Sequence, residues 1–324
     1  MPKLTCLRGC PGSGKSTWAF EELKRTGNSV RVNRDSLREM LHGFDAKWSG
    51  AREKLTVNAE RIIVMDALAN GKNVIVDDTN LLGSGTSKWE DLARISGADF
   101  VVKDFTGVPI AECIQRDAQR EGKARVGRGV IERMALFGGL IDLSSCDKVA
   151  IVDIDGTIAN LDHRLHFIQA ANTSQVYGSV STKDWNGFFE ALSDDTPFNK
   201  IIISVNNLKR MGFTVLLLSG RSAHTGHATV EWLQKYTIMF DHIFMRQTGV
   251  QRPDFEIKRE LFNAMLHAGL RKDAIKIVID DRESVCEVWR ELGLPLVQVD
   301  RGSAIQIHPS AMRLAVEIGI PIRL

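Results

Sequence analysis

Short apolar runs alternate with segments of helical period along most of the chain, and polar residues gather where the apolar runs stop. Lys3–Arg8 reads as a strand, a glycine-rich stretch follows, and Ser16–Arg25 has helical spacing. "NSVRVN" (28–33) is a second strand candidate, and "DSLREMLHG" opens a helix that Asp35 or Ser36 is placed to cap. The span 51–71 predicts a longer helix closed by Asn70-Gly71. "KNVIVDDTN" (72–80) is a buried-strand run with carboxylates at its carboxyl end. The pattern weakens over Leu140–Lys148 and restarts at "VAIVDID"; "FTVLLLSG", "HIFMR" and "IKIVIDD" follow, each with a helical segment behind it. This alternation predicts an α/β protein of two doubly wound parallel-sheet domains, 1–143 and 148–324. Their sites are expected at the carboxyl ends of the strands.

Composition narrows the class. At 324 residues the chain exceeds one ordinary domain, and 44% hydrophobic with 25% charged residues excludes collagen-like, mucin-like and disordered proteins. A net charge of +2 means that any nucleic-acid contact comes from a local groove, not a basic tail. Cys6, Cys10, Cys113, Cys146 and Cys286 are an odd set without a CxxC pair, so reduced thiols are expected. No stretch approaches the roughly 20 apolar residues that span a bilayer. "MPKLTCLRG" carries no signal-peptide pattern, and the expectation is a soluble cytoplasmic protein without membrane contact. Trp18, Trp185, Trp232 and Trp289 stand in apolar helical settings and are read as core rather than base-stacking platforms.

The glycine-rich stretch is Gly9-Cys10-Pro11-Gly12-Ser13-Gly14-Lys15-Ser16, an unbroken G-x-x-x-x-G-K-[ST], followed by Thr17. Its glycines let the backbone turn N–H groups onto an anion beside a helix N-terminus. Lys15 reaches terminal phosphates and the Ser16 hydroxyl binds Mg²⁺, so the loop is expected to hold ATP. Asp35 is placed to orient a hydroxyl acceptor and take its proton, and Arg38, three residues on, to hold an acceptor phosphate. A helix cap and a solvated arginine fit that spacing equally well. Arg116 and Arg120 stand at i,i+4 on a helical segment suited to a lid over the transferring phosphate, or to a solvated face. Asp77 and Asp78 end a strand where a metal-associated carboxylate is expected, and the spacing leaves the choice between them open.

In the second half, Asp153 and Asp155 lie two apart at a strand end, in "VDIDGT". Such a pair offers oxygen ligands to Mg²⁺; one acid can attack phosphorus while the other protonates the leaving oxygen. Gly156 and Thr157 allow close backbone approach. Ser219 closes "VLLLSG" beside Arg221, Lys258 opens "EIKRELF", and Asp280-Asp281 ends "IVIDD".

These motifs resemble the phage-type polynucleotide kinase/phosphatase family, which joins a P-loop 5′-kinase to a haloacid-dehalogenase-type phosphatase. The resemblance implies that Asp35 is the kinase general base, that Arg38 holds the acceptor's 3′-phosphate and that Arg120 is the lid arginine. It makes Asp153 the phosphatase nucleophile and Asp155 its acid/base, with Lys258, Asp280 and Asp281 holding phosphate and metal. Arg164, by its offset from Asp155, Arg221, and Asp254, by its distance ahead of Lys258, complete that set. It further implies ATP and Mg²⁺ as cofactors, RNA or DNA ends as substrates, a homo-oligomer, and cooperation with a ligase in a host cytoplasm if phage-encoded. A small-metabolite kinase fused to a small-molecule phosphatase fits the near-neutral charge; the acceptor pattern "NRD…R" disfavours it. A dead scaffold has no chemical need of Lys15, Asp35, Asp153 and Asp155 together. Two departures from the family stand out: a long stretch between "DGTIA" and "IIISVNNL", expected to form a lid, and the tail from Arg301, expected to pack on the second domain or a neighbouring subunit.

Overall fold

The structure, a computed structural model, describes residues 1–43, 49–168 and 184–323. The chain divides into two compact units, Met1–Gly127 with Met134–Leu140, and Arg128–Arg133 with Ile141–Leu324. Residues 128–133 therefore belong with the second unit, ahead of the break expected after residue 143. Within that unit the buried Glu132 carboxylate accepts the Ile243 amide at 2.7 Å.

The first unit contains strands β1 (Lys3–Arg8), β2 (Ser29–Val32), β3 (Asn73–Val76) and β4 (Asp99–Asp104), parallel and in the order β2-β3-β1-β4. Helices α1 (Lys15–Thr26), α2 (Arg34–His42), α3 (Gly50–Ala69), α4 (Ser87–Ile95) and α5 (Ile110–Ala118) follow the strands; α6 (Arg128–Phe137) spans the unit boundary. Leu4, Cys6, Val32, Val74 and Val76 pack against Val64, Leu68, Trp89 and Leu92. The central strands read as continuous apolar runs because helices cover both faces. Two local expectations are corrected. The α2 cap is Asn33, the last extended residue, whose side-chain oxygen accepts the Ser36 amide at 2.9 Å; Asp35 and Ser36 already lie inside the helix. Helix α5 stops at Ala118, so Arg116 and Arg120 do not share a helix. The chain turns there because buried Asp117 accepts the amides of Val126 (3.2 Å) and Gly127 (2.7 Å).

The second unit holds β5 (Val149–Val152), the small antiparallel pair β6 (Ala159–Asn160) and β7 (Thr196–Pro197), then β8 (Thr214–Ser222), β9 (His242–Arg246), β10 (Ile275–Asp280), β11 (Leu296–Asp300) and β12 (Ser303–Ile307). Its helices are α7 (Trp185–Glu190), α8 (Asn199–Arg210), α9 (Gly226–Lys235), α10 (Asp254–His267), α11 (Glu283–Glu291) and α12 (Pro309–Glu317). The large sheet runs β12-β11-β10-β5-β8-β9 and is parallel except for β12, which returns antiparallel along β11. Arg301 (φ 47°) and Gly302 (φ 77°) make that turn, since positive φ at both positions suits a two-residue hairpin. Ala304, Ala311, Ala315, Ile318 and Ile320 sink into this unit's core, so the tail packs on the second domain. Residues 169–183 of the long stretch expected to form a lid lie outside the described residues. Trp232 and Trp289 are buried as expected, Trp18 is half-buried against Phe105, and Trp185 departs from the expectation at 47% exposure.

Register sets the second site. Val152 pairs with Ile279 on one side and Leu217 on the other, so Asp153, Asp280 and Ser219 all emerge just past the same end of the sheet.

Gly12 shows how tightly the first loop is specified: its φ is +84°, and a Cβ there would lie 2.3 Å from the Cys113 carbonyl oxygen. Gly12→Ala is expected to lower the melting temperature by several degrees and to abolish ATP binding, both readable in thermal shift with and without nucleotide.

Candidate active sites

The first loop wraps its own lysine. Gly14 ends it in the left-handed region (φ 94°), which only glycine adopts freely, and α1 starts at Lys15. The Lys15 ammonium donates to the Cys10 carbonyl at 2.8 Å and lies 3.4 Å from the Ser13 hydroxyl. Burial lowers its pKa while the Asp77 carboxylate opposes that shift. Pro11, Gly12 and Ser13 are buried, Ser16 is half-buried and Thr17 is exposed. Gly9 is tied to the neighbouring strand end through its amide, which donates to the Thr79 carbonyl at 2.9 Å. Arg116 leans over the loop, 3.5 Å from the Gly12 carbonyl, and pairs with Glu112. Arg120 lies off the helix, 3.3 Å from the Ala124 carbonyl and 3.5 Å from Asp117.

The choice between Asp77 and Asp78 now has a physical basis. Asp77 is buried, takes Arg31 on one carboxylate oxygen at 2.6–2.7 Å and leaves its buried Oδ1 without a hydrogen bond. It is the acid whose field reaches Lys15, and it fits a metal-associated role. Asp78 turns away, accepting the Arg34 amide at 3.0 Å and pairing with the Arg34 guanidinium at 3.1 Å. The same guanidinium lies 3.0 Å from Glu60, a fully buried carboxyl in α3. Burial first, and Asp78 second, push Glu60 up to about 8. Beside this cluster Asp35 is exposed (side chain 85%), and Arg38 is held between it and Glu53, whose oxygens lie 2.7 and 2.8 Å away. Sequence reading missed Glu53 and Glu60. Both sit in a helix whose apolar positions show almost no preferred face, so nothing marked them as inward.

In the second unit, Lys258 on α10 is almost fully buried and joins the acids: 2.6 Å to Asp153, 2.8 Å to Asp280 and 3.9 Å to Asp254. Burial alone would lower its pKa, yet these carboxylates hold it protonated well above its ordinary value. Asp153 is raised by burial and by Asp280, Asp281 and Asp254, with Lys258 opposing. Asp281 is pushed up to about 6, mainly by burial and then by Asp280. Asp153, Asp280 and Asp281 each offer an oxygen within 4.8 Å of the others, and Asp153 keeps a buried Oδ2 without a hydrogen bond. A hard divalent cation fits this surplus of carboxylate oxygen. Gly156 (φ +85°) admits Asp281, whose Oδ2 lies 2.0 Å from where a Cβ would stand.

The Asp155 carboxylate, also expected among the metal ligands, lies outside that trio. It accepts from Arg164 at 2.9 Å and from Arg221 at 2.6 and 2.9 Å. Burial works to raise it, and the Arg221 and Arg164 charges outweigh burial and leave it below the usual range. Both arginines are in turn gripped by Asp195, at 2.6–2.7 Å, a fully buried acid whose carbonyl accepts the Trp232 indole N–H at 2.7 Å. Asp195 was invisible in the sequence, standing in "LSDD" with no periodic pattern around it. Ser219 is buried and its oxygen accepts the Arg221 amide at 3.1 Å. Asp254 caps the cluster, pairing with Arg246 and with half-exposed Arg282 at 3.3 Å each.

The chain thus joins a P-loop phosphotransfer domain to a phosphatase domain of the haloacid-dehalogenase type. Residues 4–136 match the family model of an AAA domain, and residues 147–303 match the family model of the polynucleotide kinase PNKP phosphatase domain. The AAA match falls largely on the first compact unit and the phosphatase-domain match on the second. A protein of Autographa californica nuclear polyhedrosis virus named as a bifunctional polynucleotide kinase/RNA ligase is 24% identical over 319 residues, 91% of this chain. The chain spans 42% of that relative's length. Among solved structures, a chain of a Pnkp1/Rnl/Hen1 RNA repair complex is 29% identical over 92% of this chain and 96% of its own, with a TM-score of 0.37. The Mycobacterium tuberculosis APS kinase CysC is 24% identical over 36% and 69%, with a TM-score of 0.30. TM-scores this low give those superpositions no bearing on function. Among the described residues no helix is long and apolar enough to cross a membrane.

Glu60 makes a pH signature. Its folded-state value of about 8 lies above the ordinary 4.5, so the unfolded chain gives up this proton first and stability falls as pH rises between those values. Glu60→Gln removes that dependence while keeping a hydrogen-bonding amide beside Asp78. Thermal unfolding across pH 5–9 is expected to show the variant gaining on the wild type up to about pH 8 and holding level above it; a pH-independent difference contradicts the shift.

Proposed function

We propose that the chain heals broken nucleic-acid ends. The first unit transfers the ATP γ-phosphate to a 5′-hydroxyl, and the second removes a 3′-phosphate, leaving the ends that a polynucleotide ligase joins. The observation that carries this reading is one chain holding both an intact phosphate-binding loop and, in a segment of the polynucleotide kinase phosphatase-domain family, a lysine locked between carboxylates.

In the kinase half Asp35 takes the proton of the attacking hydroxyl. Arg38 stands three residues away, with Glu53 fixing its other edge, and it fits a phosphate of the acceptor strand. Lys15 trades its loop carbonyl for the transferring phosphate, and Arg116 and Arg120 close from the α5 side. In the phosphatase half Asp153 attacks phosphorus to give an acyl phosphate, and the bond to the 3′-oxygen breaks. Asp155 hands that oxygen a proton; an incoming phosphate, by its negative charge, raises the carboxyl that the two arginines hold low. Lys258, the Ser219 hydroxyl and the amides near Gly156 are placed to hold the phosphate oxygens. Asp153, Asp280 and Asp281 in this half, and Ser16 and Asp77 in the other, would hold Mg²⁺, which would supply charge neutralisation at the phosphate. The viral relative's name couples a kinase to an RNA ligase, which suits a product destined for sealing.

The two chemistries are expected to separate. Lys15→Ala should abolish transfer of labelled phosphate from ATP to a 5′-hydroxyl oligonucleotide and leave release of phosphate from a 3′-phosphate oligonucleotide intact. Asp153→Asn should do the reverse. Loss of both activities in either folded variant would overturn the two-site reading. Wild-type turnover of small phosphate esters with none on oligonucleotides would overturn the end-healing reading.

A further inference from the structure

An aromatic patch borders the phosphatase acids. Trp185, the first residue of α7, is 47% exposed. Its ring stacks on Phe189 (6.0 Å between centroids, 28°) and meets the edge of Phe188 (5.8 Å, 84°). Phe189 in turn stands edge-on to exposed His224 (5.4 Å, 88°), whose Nδ1 lies 2.8 Å from the Ser222 hydroxyl at the end of β8. At the other end Phe188 carries the Arg164 guanidinium over its ring at 4.1 Å, and Arg164 bonds Asp155. Both ends of the patch are therefore fixed to elements that carry the arginines on Asp155: Arg164 itself, and β8 with Arg221.

We propose that Trp185, backed by Phe189 and His224, is a stacking platform for the base at the 3′ end of the phosphatase substrate, so that this half takes a nucleotide-bearing strand rather than a bare phosphate ester. The proposal rests on the end-healing reading and names a subsite within it. A base joined through its sugar to the phosphate under attack is tethered within about one nucleotide of Asp153, and the patch begins three contacts from Asp155. Every base has a π-face, so a half-exposed indole serves any terminal nucleotide. Stacking also supplies affinity that charge does not: a net charge of +2 offers little general attraction for a phosphate backbone. Phe188, buried against Arg164, and Phe189 hold the indole in place, which limits the ordering a bound base has to impose.

The test is a preference ratio. The probes are a 3′-phosphate oligonucleotide with a normal terminal nucleotide and the same strand with an abasic one. Wild-type kcat/KM is expected to favour the normal end by about 5- to 150-fold, the range that stacking of ~1–3 kcal/mol per base supplies. Trp185→Ala should collapse that ratio towards one, Phe189→Ala should reduce it in part, and Trp185→Phe should keep most of it. A ratio is insensitive to the fraction of folded enzyme, so a poorly folding variant still reports. If the wild type cleaves both strands equally, or Trp185→Ala keeps the full preference, the platform is wrong and end healing stands. If the wild type releases no phosphate from either strand, the functional reading fails and the platform with it.

Discussion

A protonated lysine in the interior, with no water to solvate it, holds the phosphatase half together. Lys258 is 1% exposed and reaches Asp153 and Asp280 from a different helix and at the ends of two different strands. Removing one partner from such a cluster typically costs about 3–5 kcal/mol, because the remaining charges stay buried and unpaired. The register of β5 against β10 and the seating of α10 are thus linked to a single ammonium, and the geometry that stabilises the fold also fixes the Asp153 carboxylate. The Trp289 indole N–H, 3.1 Å from Asp280, extends the same arrangement into the core.

The kinase half meets a comparable demand with backbone. Its anion site comes from loop conformation, glycines at positive φ and an amide-rich helix start, so it needs few buried charges of its own. The charges it does bury lie behind the acceptor segment, where Arg34 sits between Asp78 and Glu60 and ties the first turn of α2 to β3 and α3. Asp35 is the neighbour of Arg34 in that turn, so a buried ion cluster holds the backbone of this exposed acid in place.

Strand ends were legible in the sequence, and with them Lys15, Asp153, Asp155 and Asp280, because apolar strand runs are easy to read and a parallel sheet delivers whatever follows them to one edge; Lys258, inside a helix, came only from the family resemblance. Partners that arrive from elsewhere were not legible. Asp195 comes from an irregular segment and Glu60 from a helix without a clear apolar face, and each acts only through arginines distant in sequence. The cap of α2 and the end of α5 were misjudged for a related reason: the side-chain oxygens of Asn33 and Asp117 accept the nearby Ser36 and Gly127 amides, and periodicity does not show which polar residue takes such a bond. Trp185 was misread because an apolar helical setting describes a sequence neighbourhood, whereas exposure depends on what α7 packs against.

Asp153 and Asp155 lie two residues apart in opposite electrostatic surroundings. Burial raises Asp153, and the acids around it add to that, while Lys258 opposes them. Burial works to raise Asp155 as well, but Arg221 and Arg164 outweigh it and hold the carboxyl below its usual range. Asp195 shares those arginines and takes up part of their charge at distances no longer than 2.7 Å. Without it, two guanidiniums would act on Asp155 alone and hold its carboxyl lower still. Buried Asp195 therefore moderates the field that the two arginines exert on Asp155.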